Sequence, residues 1–249
     1  MWYTILVDIL QKLNEVKARY IEVTVTAPLK QSFEEVLLSN RIKYIFEGLI
    51  KENIIAELLP EFLPAVGLSQ RNAHHIFTVD EHILQSVKKA QKCNEVNQKT
   101  KILLLWTMLL HDIGKPEALR LSQKKGKYNF HSHPELGAKM APKILKRFGF
   151  EKSEIKQITN LVYYHEIFLH MKTYNASRTW GTRLSAKNID PIIKRIGVQN
   201  FRLLLFVNYF DLMAQSSYLQ DKKLLLNKCA RDLYNYYLKM HPQSSAEPV

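Results

Sequence analysis

The sequence predicts an all-α protein, a helical bundle with an N-terminal helical extension. Glycine and proline are scarce, with 8 and 9 copies in 249 residues, so long segments run without a breaker. Most of those segments carry apolar residues at helical rather than alternating spacing. Only Tyr20 to Thr26 has the β-branched alternation of a strand.

A first helix is expected over about 4–19. Ser32 is placed to cap a helix over 33–53, with Glu35 as the reciprocal capping residue and Val36, Ile42, Ile45 and Leu49 inward. A short helix from Ile54 to Phe62 ends before Pro64 and Gly67. Val79, Ile83, Val87 and Ala90 form the next apolar stripe, and His82 shares their side.

The segment over 100–112 is apolar almost all round, from Ile102 to Leu110, and reads as a central buried helix. It ends at His111-Asp112-Ile113-Gly114-Lys115-Pro116. There Gly114 suits a left-handed terminal residue and Pro116 blocks continuation. A basic loop over Ser122 to Asn129 leads to His133-Pro134, which starts a helix with Leu136, Met140, Ile144 and Phe148 inward and Gly149 as its stop. Ser153 is the expected cap of the following helix, whose stripe of Ile155, Ile158 and Leu161-Val162 leads to His165. A basic connection over 170–190 precedes a helix over about 199–218, with Phe201, Leu204, Asn208 and Asp211 on one side. The expected division is an extension over 1–70, a main domain over 71–241 and a frayed tail over 242–249.

Composition limits the function classes. The chain is 46% hydrophobic and 24% charged, an ordinary globular balance. No run approaches the roughly 20 apolar residues of a membrane span. The N-terminus lacks a basic segment and a small-residue cleavage site, so no signal peptide is expected. Two distant cysteines, Cys93 and Cys229, read as reduced thiols of a cytoplasmic protein. A formal net charge of +13 favours polyanionic partners such as RNA or nucleotides, although a solvated lysine-rich surface has the same composition.

Separate helices each bring an imidazole or a carboxylate to an apolar face: His82, His111-Asp112, His133, His165 and Asp211. Taken singly, His165 reads as a hydrogen-bonded core residue, Asp112 as a loop cap and Asp211 as a paired core carboxylate. Jointly, such burial without partners costs several kcal/mol, and a divalent metal removes that cost.

The same residues resemble the HD-domain superfamily of metal-dependent phosphohydrolases. The resemblance rests on Val79-Asp80-Glu81-His82, Leu110-His111-Asp112-Ile113-Gly114-Lys115-Pro116 and Asp211. It extends to Phe130-x-x-His133 with Gly137-Ala138, and to Leu161-Val162-x-x-His165. It is strongest to the C-terminal HD regions of tRNA nucleotidyltransferases and poly(A) polymerase-like proteins, where a helical neck precedes the core. Thr78 to His82 is also similar to PII uridylyltransferases. The match spans roughly 32–216, with its core at 75–216.

The resemblance implies an HD-domain helical bundle. His82, His111, Asp112 and Asp211 would bind a first metal, and His133 and His165 a second, with His131 competing for the place of His133. One or two divalent ions are implied: Fe, Mn, Ni, Co, Mg or Zn. Asp112 would bridge the ions or take a proton from water. Lys115 would neutralise developing phosphate charge, or only shield the helix end. Arg178 and Arg183 would clamp phosphate, or remain solvated. The nucleotidyltransferase head is absent, so the expected activity is phosphohydrolysis and not nucleotide addition. A nucleotide, a cyclic phosphodiester or an RNA end is the expected substrate. A separate nucleotidyltransferase chain or a second copy is the expected protein partner. Two alternatives stay open: a non-catalytic RNA-binding or scaffold domain with a structural metal, and a signalling-nucleotide hydrolase.

Overall fold

A computed structural model describes residues 2–19, 28–71, 76–167, 172–174, 180–182 and 186–215, together with 231–232, 235 and 238–239. The expected strand at Tyr20–Thr26 and the expected tail at 242–249 lie outside the described residues. Among the described residues the chain is all-α apart from one small hairpin, in which β1 (Lys172–Tyr174) pairs antiparallel with β2 (Trp180–Thr182). Among the described residues no helix is long and apolar enough to cross a membrane.

The N-terminal helices are α1 (Trp2–Ala18), α2 (Leu29–Leu38), α3 (Ile42–Lys51) and α4 (Ile54–Leu58), followed by a 3-10 turn over Pro60–Ala65. The single helix expected over 33–53 is two helices. Ser39 breaks it, accepting from the Arg41 N–H through its hydroxyl, while the Gln91 amide donates to the Leu37 and Ser39 carbonyls at 2.7 and 2.9 Å. Those carbonyls therefore need no continuing helix. Ser32 is not a cap: α2 starts at Leu29, and Ser32 is buried in its first turn, with its N–H on Pro28 O. Glu35 instead accepts an ion pair from the fully buried Lys17 at 2.7 Å, which ties α1 to α2.

The remaining helices are α5 (Val79–Ala90), α6 (Gln98–Leu110), α7 (Lys115–Gln123), α8 (His133–Arg147), α9 (Lys152–Tyr164), α10 (Ala186–Ile196) and α11 (Val198–Met213). Helix α5 opens on a capping box in which the Thr78 N–H donates to Glu81. Asn97 caps α6 by accepting the Thr100 N–H. Helix α9 is capped by Glu151, whose N–H binds Glu154, and not by Ser153. The basic loop is shorter than expected, because Ser122 and Gln123 belong to α7.

Helix α6 is buried continuously from Leu104 to Leu110. Helices α2, α5, α9 and α11 pack around it. Trp106 sits at its centre against Phe33, Phe148 and Phe150, with centroids 5.3, 4.8 and 5.0 Å away. One apolar cluster runs from Leu13 to Phe210, so the N-terminal helices share the core of the bundle. On α8 the buried face is Gly137, Ala141, Ile144 and Leu145, while Leu136 and Met140 are only half-buried.

Candidate metal centre

The end of α6 presents His111 and Asp112 to the interior. Gly114 follows with φ −80°, not in the left-handed region expected for it. Its lack of a side chain serves a close approach instead. A Cβ there would collide with the His133 carbonyl oxygen and come within 2.5 Å of Gly137 N. This contact seats the start of α8, and with it His133, against the turn after α6. Pro116 does not end the helical path; it lies in the first turn of α7, where its missing N–H costs nothing.

The six histidines and aspartates converge in two buried trios: His82, His111 and Asp211, and Asp112, His133 and His165. In the first, Nε2 of His82 lies 2.9 Å from Asp211 Oδ1 and 3.3 Å from His111 Nε2, and His111 Nε2 lies 3.7 Å from Asp211. In the second, His133 Nε2 lies 3.1 Å from both Asp112 Oδ1 and His165 Nε2, and His165 lies 3.7 Å from Asp112. Asp112 joins the two, because its Oδ2 is 3.4 Å from both His82 and His111.

The donor set fits divalent cations. Metal–nitrogen and metal–oxygen bonds of about 2.1 Å put neighbouring ligand atoms about 3.0–3.4 Å apart, and the trios, at 2.9–3.7 Å, lie within a few tenths of an ångström of that spacing. The Nδ1–H groups of His111, His133 and His165 donate to the Met108, Phe130 and Val162 carbonyls, each at 2.7 Å. That fixes the tautomer and turns each Nε2 lone pair into the site. Burial pushes the His165 imidazole down to about 4, helped by its neighbour His133, so it is neutral at pH 7, the form that binds a metal.

Charge is arranged around the carboxylates. Burial alone would raise Asp112, but the Lys115 ammonium, then His111 and His133, hold it well below the usual range. Burial likewise opposes ionisation of Asp211, and the His111 and His82 imidazoles beside it hold it well below the usual range. Burial would lower His111, yet Asp112 and Asp211 raise it. The Lys115 Nζ is buried, 2.6 Å from Asp112 Oδ2 and 2.7 Å from Gln70 Oε1. Lys115 thus acts first on Asp112, while also lining the adjoining cleft.

That cleft, about 270 Å³, opens beside His133 and is walled by Arg71, Lys115, Tyr128, Phe130, His131 and Glu166. His131 is exposed there and His133 is buried, so the structure places His133 in the trio. Arg178 and Arg183 lie outside the described residues. Sequence reasoning missed Gln70 and Arg71, which reach the site only through tertiary packing, and Tyr128 and Glu166, which lie beside His133 and His165 in the chain but carry no pattern of their own. It also missed Gln215, which donates to Asp211 at 3.2 Å one helical turn further on. Arg71 carries one local mark, a left-handed φ of 47° that costs a non-glycine residue, and its guanidinium covers the Tyr128 ring at 4.5 Å.

The HD-domain sequence pattern matches residues 79–197. An A-adding tRNA nucleotidyltransferase of Deinococcus radiodurans is 32% identical over 120 residues, which cover 48% of this chain and 27% of that protein. A bifunctional uridylyltransferase/uridylyl-removing enzyme of Ruegeria pomeroyi is 31% identical over 134 residues, 47% of this chain and 13% of that protein. Its namesake of Rhodopseudomonas palustris is 23% identical over 197 residues, 72% of this chain and 19% of that protein. The chain thus spans about a quarter or less of the length of these relatives. With the motif residues gathered in two trios inside an all-α bundle, residues 79–197 carry an HD domain.

Proposed function

We propose that this chain hydrolyses a phosphate ester of a nucleotide, a cyclic phosphodiester or an RNA end, using divalent metal held by His82, His111, Asp112 and Asp211 and by Asp112, His133 and His165. The observation that carries the reading is Asp112, whose two oxygens face one trio each. A cation held there would polarise a phosphoryl oxygen and acidify a water molecule.

The chain's own residues do the rest. The carbonyl-anchored histidines hold their lone pairs in place without reorganisation. Lys115 fixes the rotamer of Asp112 and presents positive charge at the cleft wall, where phosphate charge develops. Arg71 and His131 line the approach. The names of the relatives support the class, since a uridylyl group is joined through phosphate and its removal breaks such a linkage.

The test is metal analysis of the purified protein, coupled to turnover of 2′,3′-cyclic nucleotides, nucleoside monophosphates, dNTPs and hyperphosphorylated guanosine. Asp112→Ala is the control. Bound metal with Asp112-dependent turnover is expected. Bound metal without turnover of any substrate would instead favour a binding domain with a structural metal.

A further inference from the structure

The cleft beside His133 does not end at the metal centre. It shares Asn129 and His131 as walls with a second groove of about 520 Å³. That groove runs onto the turn after α7, where Lys124, Lys125 and Lys127 line it. We propose that the joined grooves hold a single-stranded oligonucleotide, with its terminal phosphate at the metal centre and its upstream phosphates on these lysines. The substrate class is then an oligonucleotide end and not a free mononucleotide. The inference rests on the phosphohydrolase reading for the end that reacts, but not for the binding itself.

The turn is built to present charge. The Lys125 and Lys127 N–H groups both bind Ser122 O, at 2.9 and 3.1 Å, and Gly126 takes φ 68° between them. The Asn129 N–H is fixed on the Ser122 hydroxyl at 3.2 Å. All three lysines are exposed, and none takes part in an ion pair among the described residues. Opposing acid is sparse: Glu135 lines the groove, Glu166 stands at the metal end, and Glu117 is taken by Arg120. Lysines of this kind contact phosphate without reading sequence.

Between the lysines and the metal, half-buried Tyr128 and Phe130 meet edge to face at 5.8 Å and line the cleft with Arg71, whose guanidinium lies over the Tyr128 ring; aromatic and guanidinium planes of this kind are surfaces on which bases stack. Lys127 precedes His133 by six residues, at most about 20 Å of chain, so a few nucleotides bridge the distance. A mononucleotide would fill only the metal-side cleft and leave the lysines unused.

The experiment compares uridine 3′-monophosphate with hexauridylate 3′-phosphate on the metal-loaded full chain, at low and raised salt. The native protein should favour the hexamer by about 10-fold or more in kcat/KM at low salt, and the preference should collapse toward one in the triple variant Lys124→Ala/Lys125→Ala/Lys127→Ala. A second arm follows fluorescein-labelled hexauridylate without a terminal phosphate by anisotropy, so it needs no turnover. Loss of three single-strand phosphate contacts should reduce the slope of log K against log salt by about 2. The charge-matched variant Lys88→Ala/Lys89→Ala/Lys92→Ala should keep both the preference and the slope. Equal use of the two substrates by the native protein, or equal losses in the two triple variants, overturns the proposal. Groove-dependent binding without release of phosphate from either substrate would sustain the groove and overturn the assignment of a terminal 3′-phosphate as the group that reacts, leaving the other phosphate esters of the proposed function to their own test.

Discussion

Oδ1 of Asp112 lies 3.1 Å from Nε2 of His133, while its Oδ2 is turned toward His82 and His111 at 3.4 Å. One carboxylate therefore belongs to both trios, and the ligands on either side of it should behave differently when removed.

Substituting His133→Ala or His165→Ala should lower the metal content by about one ion per chain and leave the His82 trio loaded. Asp112→Asn should reduce both positions. Loss of partners that merely orient ligands already costs about 10–100-fold in affinity or activity, so each ligand substitution should cut turnover by more than about 100-fold. Elemental analysis alongside turnover checks this. Equal metal loss in His133→Ala and Asp112→Asn would contradict two separable positions.

Gly114→Ala should be more damaging than its small size suggests. The added Cβ meets backbone of His133 and Gly137, which cannot swing aside as a side-chain tip can. A loss of about 3 kcal/mol is expected, at the upper end of overpacking effects, with metal affinity falling because His133 is displaced. At Gly137→Ala the one tight neighbour is a side-chain tip, Val162 Cγ1 at 3.2 Å, with Gly114 N and Ile113 Cγ2 at an ordinary 3.6 Å, so it should cost less. Urea midpoints of the two variants give the comparison.

What was legible in the sequence follows from how local each signal is. Buried helix α6, the turn at its end and the inward phase of His82, His165 and Asp211 are written in short-range apolar spacing, and the all-α class with them. The break between α2 and α3 was not legible, because the Gln91 amide that satisfies Leu37 and Ser39 comes from more than fifty residues away. The cap of α9 is not legible because Glu151 does what serine more commonly does. Gly114 looks in sequence like a backbone-angle glycine, whereas its role is the room it leaves for another helix. Gln70 and Arg71 carry no pattern that ties them to a site across the fold.

The Glu61–Arg147 pair should make stability depend on acid pH. Burial would raise the Glu61 carboxyl, but hydrogen bonds from Arg147 at 2.8 and 3.0 Å hold it below its usual value. A carboxyl that titrates lower in the folded state adds stability above its unfolded value, near about 4.3, and loses it as pH falls through the folded value. Glu61→Gln keeps the shape and removes the charge. It should cost about 1 kcal/mol at neutral pH, between an exposed and a buried pair. The difference from the native protein should shrink toward zero at strongly acidic pH, where both side chains are neutral. Chemical denaturation at the two pH values measures it.

Lys115 separates a structural role from a purely substrate-facing one. Its ammonium and the Asp112 carboxylate are both nearly inaccessible, with side chains 7% and 2% exposed and 2.6 Å apart. Removing one partner of such a pair leaves a buried charge uncompensated, at about 3 kcal/mol or more. In Lys115→Met that loss should be large only without metal, because a cation between the trios also neutralises Asp112. Binding to the folded state alone raises stability by linkage. The gap in Tm between metal-loaded and EDTA-treated protein should therefore be several degrees wider in Lys115→Met than in the native chain. A lysine that served only to meet the substrate would leave that gap unchanged and lower kcat/KM alone, so paired thermal melts and initial rates tell the two roles apart.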